Sequence, residues 1–132
     1  DAGLAISLIS RQRNKGVPAD KNPEALINVV AREYARQLKL LNAVDFDDLL
    51  ILAEQLLREF PAVSAAWQAR FNQVMVDEFQ DSNAAQMRLA HIIASHPLDK
   101  GNPNLMVVGD DDQSIYKFNG AELNNMLGFK RT

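Results

Sequence analysis

Two short apolar runs, Val74-Met75-Val76 and Leu105-Met106-Val107-Val108, constrain what this chain can fold into more than any other feature. Each is too short for a helix, rich in β-branched residues and bounded by polar ones, which predicts buried strands. Between them, Asn83-Ala84-Ala85-Gln86 resembles a capping box, in which the first and fourth residues exchange side-chain-to-backbone hydrogen bonds. It opens a helix through Met87, Leu89, Ala90, Ile92 and Ile93 that stops before Pro97. Strand, helix, strand is the pattern of a parallel βαβ unit.

Upstream of this unit the pattern is helical. A first helix is expected from Leu4 to about Asn14, ended by Lys15-Gly16-Val17-Pro18. A second opens at Asn22-Pro23-Glu24, where a cap residue precedes a proline and an acid. Leu26, Val30, Tyr34, Leu38 and Leu41 then fall on one of its faces. A third starts at Asp45, with Asp48 where negative charge suits the helix dipole. Its apolar stripe is Phe46, Leu49, Leu50, Ala53, Leu56 and Leu57, and Phe60-Pro61 ends it. A short helix over Val63–Arg70 leads to the first strand. The chain thus reads as α/β, with a mainly helical first half and a parallel sheet in the second.

Composition narrows the class. With 47% hydrophobic and 23% charged residues, the chain has the make-up of a water-soluble globular protein. No apolar run approaches the ~20 residues that span a bilayer, so no membrane partner is expected. The apolar start lacks a basic leading segment and runs directly into Arg11, Arg13 and Lys15, which argues against a signal peptide. There is no cysteine, which excludes disulfides and thiolate metal sites and is compatible with a cytoplasmic location. The net charge of −3 hides an asymmetry. Residues 1–40 carry seven Lys/Arg against four Asp/Glu, and residues 41–132 carry seven against thirteen.

The chemistry sits where the strands end. Val76 is followed by Asp77-Glu78, and Val108 by Gly109-Asp110-Asp111-Asp112. Open parallel sheets bind ligands at the carboxyl ends of their strands, so both acidic clusters belong on one sheet edge. One carboxylate there can hold a hard cation such as Mg²⁺, and a neighbour can orient or deprotonate a water. The bland reading is that Asp77 caps the next helix and the other acids are solvated.

The joint pattern of Val76-Asp77-Glu78-Phe79-Gln80-Asp81 and Val108-Gly109-Asp110-Asp111-Asp112-Gln113-Ser114-Ile115-Tyr116, one helix apart, resembles motifs II and III of the UvrD, Rep and PcrA group of superfamily I DNA helicases. Asp45-Phe46-Asp47-Asp48-Leu49-Leu50 is similar to a run that these helicases carry upstream. The resemblance implies a partial RecA-like P-loop NTPase sheet over residues 62–132 and a helical insertion-domain portion of the first motor lobe over 1–61. It implies that Asp77 binds the Mg²⁺ of Mg-ATP and that Glu78 is the catalytic base. Gln113 would contact the γ-phosphate and serve catalysis, and Tyr116 and Phe118 would stack on bases of single-stranded DNA. The implied partners are single-stranded DNA, duplex junctions and the remaining motor domains. The chain departs from the family at Phe118, where Trp is usual, and at Asn119, where Arg is usual.

A P-loop is missing from these residues. The glycines stand at 3, 16, 101, 109, 120 and 128, and none is followed by Lys-Ser or Lys-Thr. With that and a first residue that is not methionine, the expectation is a piece of a longer motor that does not hydrolyse ATP alone. Its cut sheet edge would favour self-association. Two rivals stand beside this reading. Gly109-Asp110-Asp111 also resembles the metal-binding turn of viral RNA polymerases, but leaves Gln80, Asp81, Gln113, Ser114 and Tyr116 without a role. The other is a stand-alone, non-catalytic module of degenerate helicase fold that binds DNA or protein. His91 and His96 have no partner motif for a metal. Trp67 and Tyr34 read as packing residues, and the basic residues Arg11, Arg13, Lys15, Lys21, Arg32, Arg36 and Lys39 as a solvated face.

Overall fold

The computed structural model describes residues 2–16, 25–96 and 102–110. In chain order its elements are α1 (Ala2–Lys15), α2 (Leu26–Leu40), α3 (Phe46–Glu59), α4 (Pro61–Gln68), β1 (Val74–Val76), a 3₁₀ turn (Phe79–Asp81), α5 (Ala84–Ala94) and β2 (Leu105–Val107). The two strands pair in parallel, with Val74 opposite Leu105, Met75 opposite Met106 and Val76 opposite Val107. The βαβ unit is therefore present, and the molecule is mainly helical with a small parallel sheet.

Local chemistry explains where the helices start. Asp45 is extended and its Oδ1 accepts from Asp48 N at 2.7 Å, while Asp48 Oδ2 accepts from Asp45 N at 3.1 Å. Asn83 and Gln86 do the same for α5, with both bonds at 2.9 Å. Each box satisfies two amides that a helix N-terminus leaves without partners. Helix α2 runs from Leu26, with Ala25 before it at φ −54° and ψ 133°; Asn22-Pro23-Glu24, where the sequence placed its opening, lie outside the described residues. One boundary is corrected. The fourth helix begins at Pro61, whose missing amide hydrogen is harmless in a first turn, and ends at Gln68.

The strands are also half-buried rather than buried. Helix α5 packs on one face of the sheet, while Met75 and Met106 on the other are 64% and 45% exposed. Alternation thus replaces the continuous burial that the apolar runs suggested. The apolar stripes of α2 and α3 are likewise only half covered. Leu26, Val30, Leu41, Phe46, Leu49 and Leu56 are exposed, and Phe46 reaches 89%. No helix among the described residues is long and apolar enough to cross a membrane.

Polar side chains do much of the joining. Among the described residues the buried apolar side chains are few: Ile9, Leu57, Phe79, Ala85 and Ala94. Around them, Arg13 of α1 pairs with Asp45, at 2.9 Å, and with Asp48 at the start of α3. Asn14 Nδ2 donates to Asp47 Oδ1 at 2.7 Å, and the Tyr34 hydroxyl donates to Asp45 Oδ2 at 2.9 Å. Farther along α3, Glu54 accepts Arg88 Nε on both oxygens, at 2.9 and 3.0 Å, and Arg58 Nε at 3.0 Å. Arg88 Nη1 continues to the carbonyl of Asn14 at 3.1 Å, so α1, α3 and α5 meet at one guanidinium.

Candidate functional site: the acidic edge of the sheet

Hydrogen bonding between the strands continues past their ends. Val108 N donates to Val76 O at 2.8 Å, and Phe79 N donates to Val108 O at 2.9 Å. The second bond reaches across from the 3₁₀ turn, so the residues after β1 fold back against those after β2. Phe79 is buried beneath this junction, which anchors the turn. The chain between Val76 and Phe79 is left displaying Asp77 and Glu78, both exposed, on the edge that also carries Asp110.

Glu78 adopts the left-handed conformation, with φ 50° and ψ 43°. For a residue other than glycine this backbone costs about 1–3 kcal/mol and persists only where its surroundings enforce it. Three bonds do so here. Asp77 Oδ1 accepts from Glu78 N at 2.9 Å, Glu78 O accepts from Asp81 N at 2.9 Å, and Gln80 Nε2 donates to Glu78 Oε2 at 2.5 Å. The other end of the same amide, Gln80 Oε1, accepts from Asp110 N at 3.0 Å. Gln80 is 4% exposed, so this bridge between the two exposed acidic strand ends runs through a buried side chain. Gly109 fits over it closely: a Cβ there would lie 2.6 Å from Gln80 Oε1 and 3.0 Å from Phe79 Cβ.

The bland reading of Asp77 as a helix cap does not hold, because Asn83 caps α5 and Asp77 folds onto its neighbour's amide. As a metal ligand Asp77 suits one chemistry in particular. Mg²⁺ keeps several waters and takes one or two carboxylates together with substrate phosphates, so an exposed carboxylate on an open edge fits it. Among the described residues no group of three or more His, Asp or Glu could cage an ion by protein ligands alone. Gln113, Tyr116 and Phe118, with Asp111, Asp112, Ser114 and Asn119, lie outside the described residues.

Elsewhere the structure refines the sequence reading. His91 is exposed, with Nδ1 3.3 Å from the Ser95 hydroxyl and no metal-site company among the described residues. Trp67 stacks on Phe71 at 6.2 Å between ring centroids, and the Arg70 guanidinium lies 4.9 Å over its ring. Tyr34 is half-buried and bonded to Asp45 rather than packed in an apolar core. Arg13 is not part of a solvated face, since Asp45 and Asp48 hold it. Two hollows of about 450 and 470 Å³ lie among the helices, one lined by Arg13, Glu54, Arg58 and Arg88, the other by Asn14, Asp47, Asp81 and Asn83. Neither is at the acidic edge. Sequence reasoning quoted Gln80 and Gly109 within the two motifs but gave neither a role of its own.

Acidic strand ends on a parallel βαβ unit define a class of carboxylate-edged α/β protein, and comparison with known proteins makes the class specific. The UvrD/REP helicase N-terminal domain model matches residues 5–132, and the chain belongs to that family. It is 39% identical over 135 residues to the ATP-dependent DNA helicase PcrA of Staphylococcus aureus (strain Mu50), covering 97% of this chain and 18% of that protein. It is 39% identical over 119 residues to PcrA of Leuconostoc citreum, covering 90% of this chain and 15% of the relative. With the ATP-dependent DNA helicase UvrD1 of Mycobacterium bovis the identity is 44% over 101 residues, or 75% of this chain and 13% of the relative. The chain therefore spans less than a fifth of the length of these relatives.

Proposed function

We propose that this chain contributes the ATP-hydrolysing carboxylates to a DNA helicase motor that couples Mg-ATP hydrolysis to movement along single-stranded DNA and to duplex unwinding. The observation that carries the reading is the meeting of both acidic strand ends on one sheet edge, in a member of the UvrD/REP family. In this reading Asp77 holds Mg²⁺ and Glu78 takes a proton from the water that attacks the γ-phosphate. When bound, the metal supplies charge neutralisation to the phosphates. The left-handed backbone at Glu78 and the Gln80 bond fix where that carboxylate points, which is the kind of preorganisation a base needs. Gln113 is assigned to the γ-phosphate, and Tyr116 and Phe118 to stacking with bases.

The same reading divides the chain into a helical insertion-domain portion, 1–61, and part of a RecA-like ATPase domain, 62–132. A phosphate-binding loop, absent from these 132 residues, would have to come from elsewhere in a longer protein, as would the further motor domains. The chain alone is proposed to be inactive, and its parent to work in the cytoplasm on single-stranded DNA and duplex junctions.

Glu78→Gln in the intact protein tests the assignment. The change keeps size and the reach toward Gln80 while removing the base. ATP hydrolysis and unwinding should fall at least about a hundredfold, within the range that general-base removal spans. Binding of a fluorescent ATP analogue should stay within about twofold, because the residue acts in the transition state rather than on the ground-state nucleotide. Retained unwinding in this variant would end the assignment of Glu78.

A further inference from the structure

We infer that Gln80 is a positioning residue: its buried amide ties the Glu78 carboxylate to the Gly109–Asp110 turn, so that displacement of the chain leaving β2 is transmitted to the base. The inference rests on the reading of Glu78 as that base. Its physical content is the opposed use of one amide. Nε2 donates to Glu78 Oε2 at 2.5 Å and Oε1 accepts from Asp110 N at 3.0 Å. Reversing the amide would set an oxygen against a carboxylate and an NH₂ against an N–H, so its orientation is fixed by both partners at once. Gln80 is 4% exposed, so releasing either bond leaves a polar end of its amide buried without that partner.

The backbone under Gln80 cannot easily take up a shift of the turn. It is clamped by Phe79 N to Val108 O at 2.9 Å and by Asp81 N to Glu78 O at 2.9 Å. A movement of Asp110 N by about 0.5 Å would carry the 3.0 Å contact to the outer limit of a hydrogen bond. Gln80 must then follow the turn, drawing on Glu78, or release it. Gly109 is shaped to this arrangement, because a Cβ would lie 2.6 Å from Gln80 Oε1 and 3.1 Å from Phe79 N. In sequence the turn leads directly to Gln113, Tyr116 and Phe118, the residues proposed above to meet the γ-phosphate and the bases. A single buried side chain thus links the residue that activates water to the segment assigned to sense nucleotide and DNA.

The test is steady-state ATP hydrolysis by the intact protein carrying this chain, with and without saturating single-stranded DNA. Gln80→Glu is isosteric; it keeps the acceptor for Asp110 N but sets a carboxylate against Glu78. Gly109→Ala attacks the same contact from the turn and alters neither side chain of the bridge. In both variants the ratio of DNA-stimulated to DNA-free kcat should fall about tenfold, the scale of a typical coupling free energy, with KM for ATP within about twofold of wild type. The inference is overturned if the ratio is retained in either variant, or if both rates fall by the same factor, which is what general damage to the fold would give. Failure of the underlying reading shows elsewhere: wild-type protein without DNA-stimulated hydrolysis, or a Glu78→Gln variant that hydrolyses normally, would remove the base and the coupling with it.

Discussion

Replacing Asp45 should separate two contributions that meet on one carboxylate. Its Oδ1 caps α3 through Asp48 N at 2.7 Å, while Oδ2 accepts from Arg13 and from Tyr34, each at 2.9 Å. An asparagine in its place would still cap, since Asn and Asp are comparable there, but it carries no charge for Arg13. The Asp45 side chain is 20% exposed, so its charge-assisted bonds are only partly screened. Asp45→Asn should then lower unfolding free energy by about 1 kcal/mol. Asp45→Ala forfeits the cap as well, adding roughly 1 kcal/mol, for a total of about 2 kcal/mol. Burial opposes ionisation of Asp45, but the Asp48 amide, Tyr34 and Arg13 outweigh it and hold the carboxyl below its usual value. A carboxyl depressed in the folded state stabilises above its unfolded pKa, about 3.9, and loses that contribution as pH falls through the folded value. Urea unfolding followed by far-ultraviolet circular dichroism measures this. The wild-type advantage over Asp45→Asn should be flat from about pH 5 to 7 and shrink at more acidic pH. An advantage undiminished down to about pH 2, or an asparagine variant no more stable than the alanine variant at neutral pH, would refute the division into cap and charge.

Other perturbations probe the joints between elements. Arg88→Met should destabilise the chain by about 3 kcal/mol in the same urea experiment, because it leaves Glu54, 9% exposed, with Arg58 alone and orphans the Asn14 carbonyl. Asn83→Ala should cost about 1 kcal/mol, read as a lower thermal midpoint, because both arms of the α5 capping box pass through that residue. The open sheet face predicts self-association of the isolated chain. Sedimentation velocity should show oligomers that Met75→Lys, placed opposite Met106, reduces; a clean monomer at all concentrations would remove that expectation.

The sequence revealed the elements that local chemistry decides. Asp45 with Asp48, and Asn83 with Gln86, announce helix starts because a capping box needs only four consecutive residues. The parallel pairing of Val74–Val76 with Leu105–Val107 followed from two apolar runs one helix apart. Exposure was not legible, because Leu26, Phe46, Leu49 and Met75 have the same apolar pattern whether or not anything covers them. The joints were not legible either. Arg13 with Asp45, and Arg88 with Glu54, lie more than thirty residues apart in the chain, and no periodicity relates them. At the site, the carboxylates announced themselves by following strands, whereas Gln80 gave only its place beside them. Its importance depends on Asp110 arriving from the second strand, which is a fact of tertiary structure.

The local shape of the acidic edge is set by this chain's own residues. Asp77 meets the Glu78 amide through its own side chain, Phe79 is drawn under the edge by the Val108 carbonyl, and Gln80 bonds in both directions. Each partner is local or comes from the neighbouring strand. The left-handed conformation of Glu78 is therefore enforced by bonds within the βαβ unit, which balance its strain. A site of this kind separates two requirements. On the function proposed above, the carboxylates are aimed by a small unit that need not hold phosphate, and phosphate binding falls to a loop that these residues do not contain. Under the function proposed above, this division lets an aimed base and a chain inactive on its own coexist in one sequence. The same proposal predicts where loss of function should arise: changes at Phe79, Gln80 or Gly109 should spoil the aim of Glu78 and lower the rate of hydrolysis while leaving nucleotide affinity unchanged.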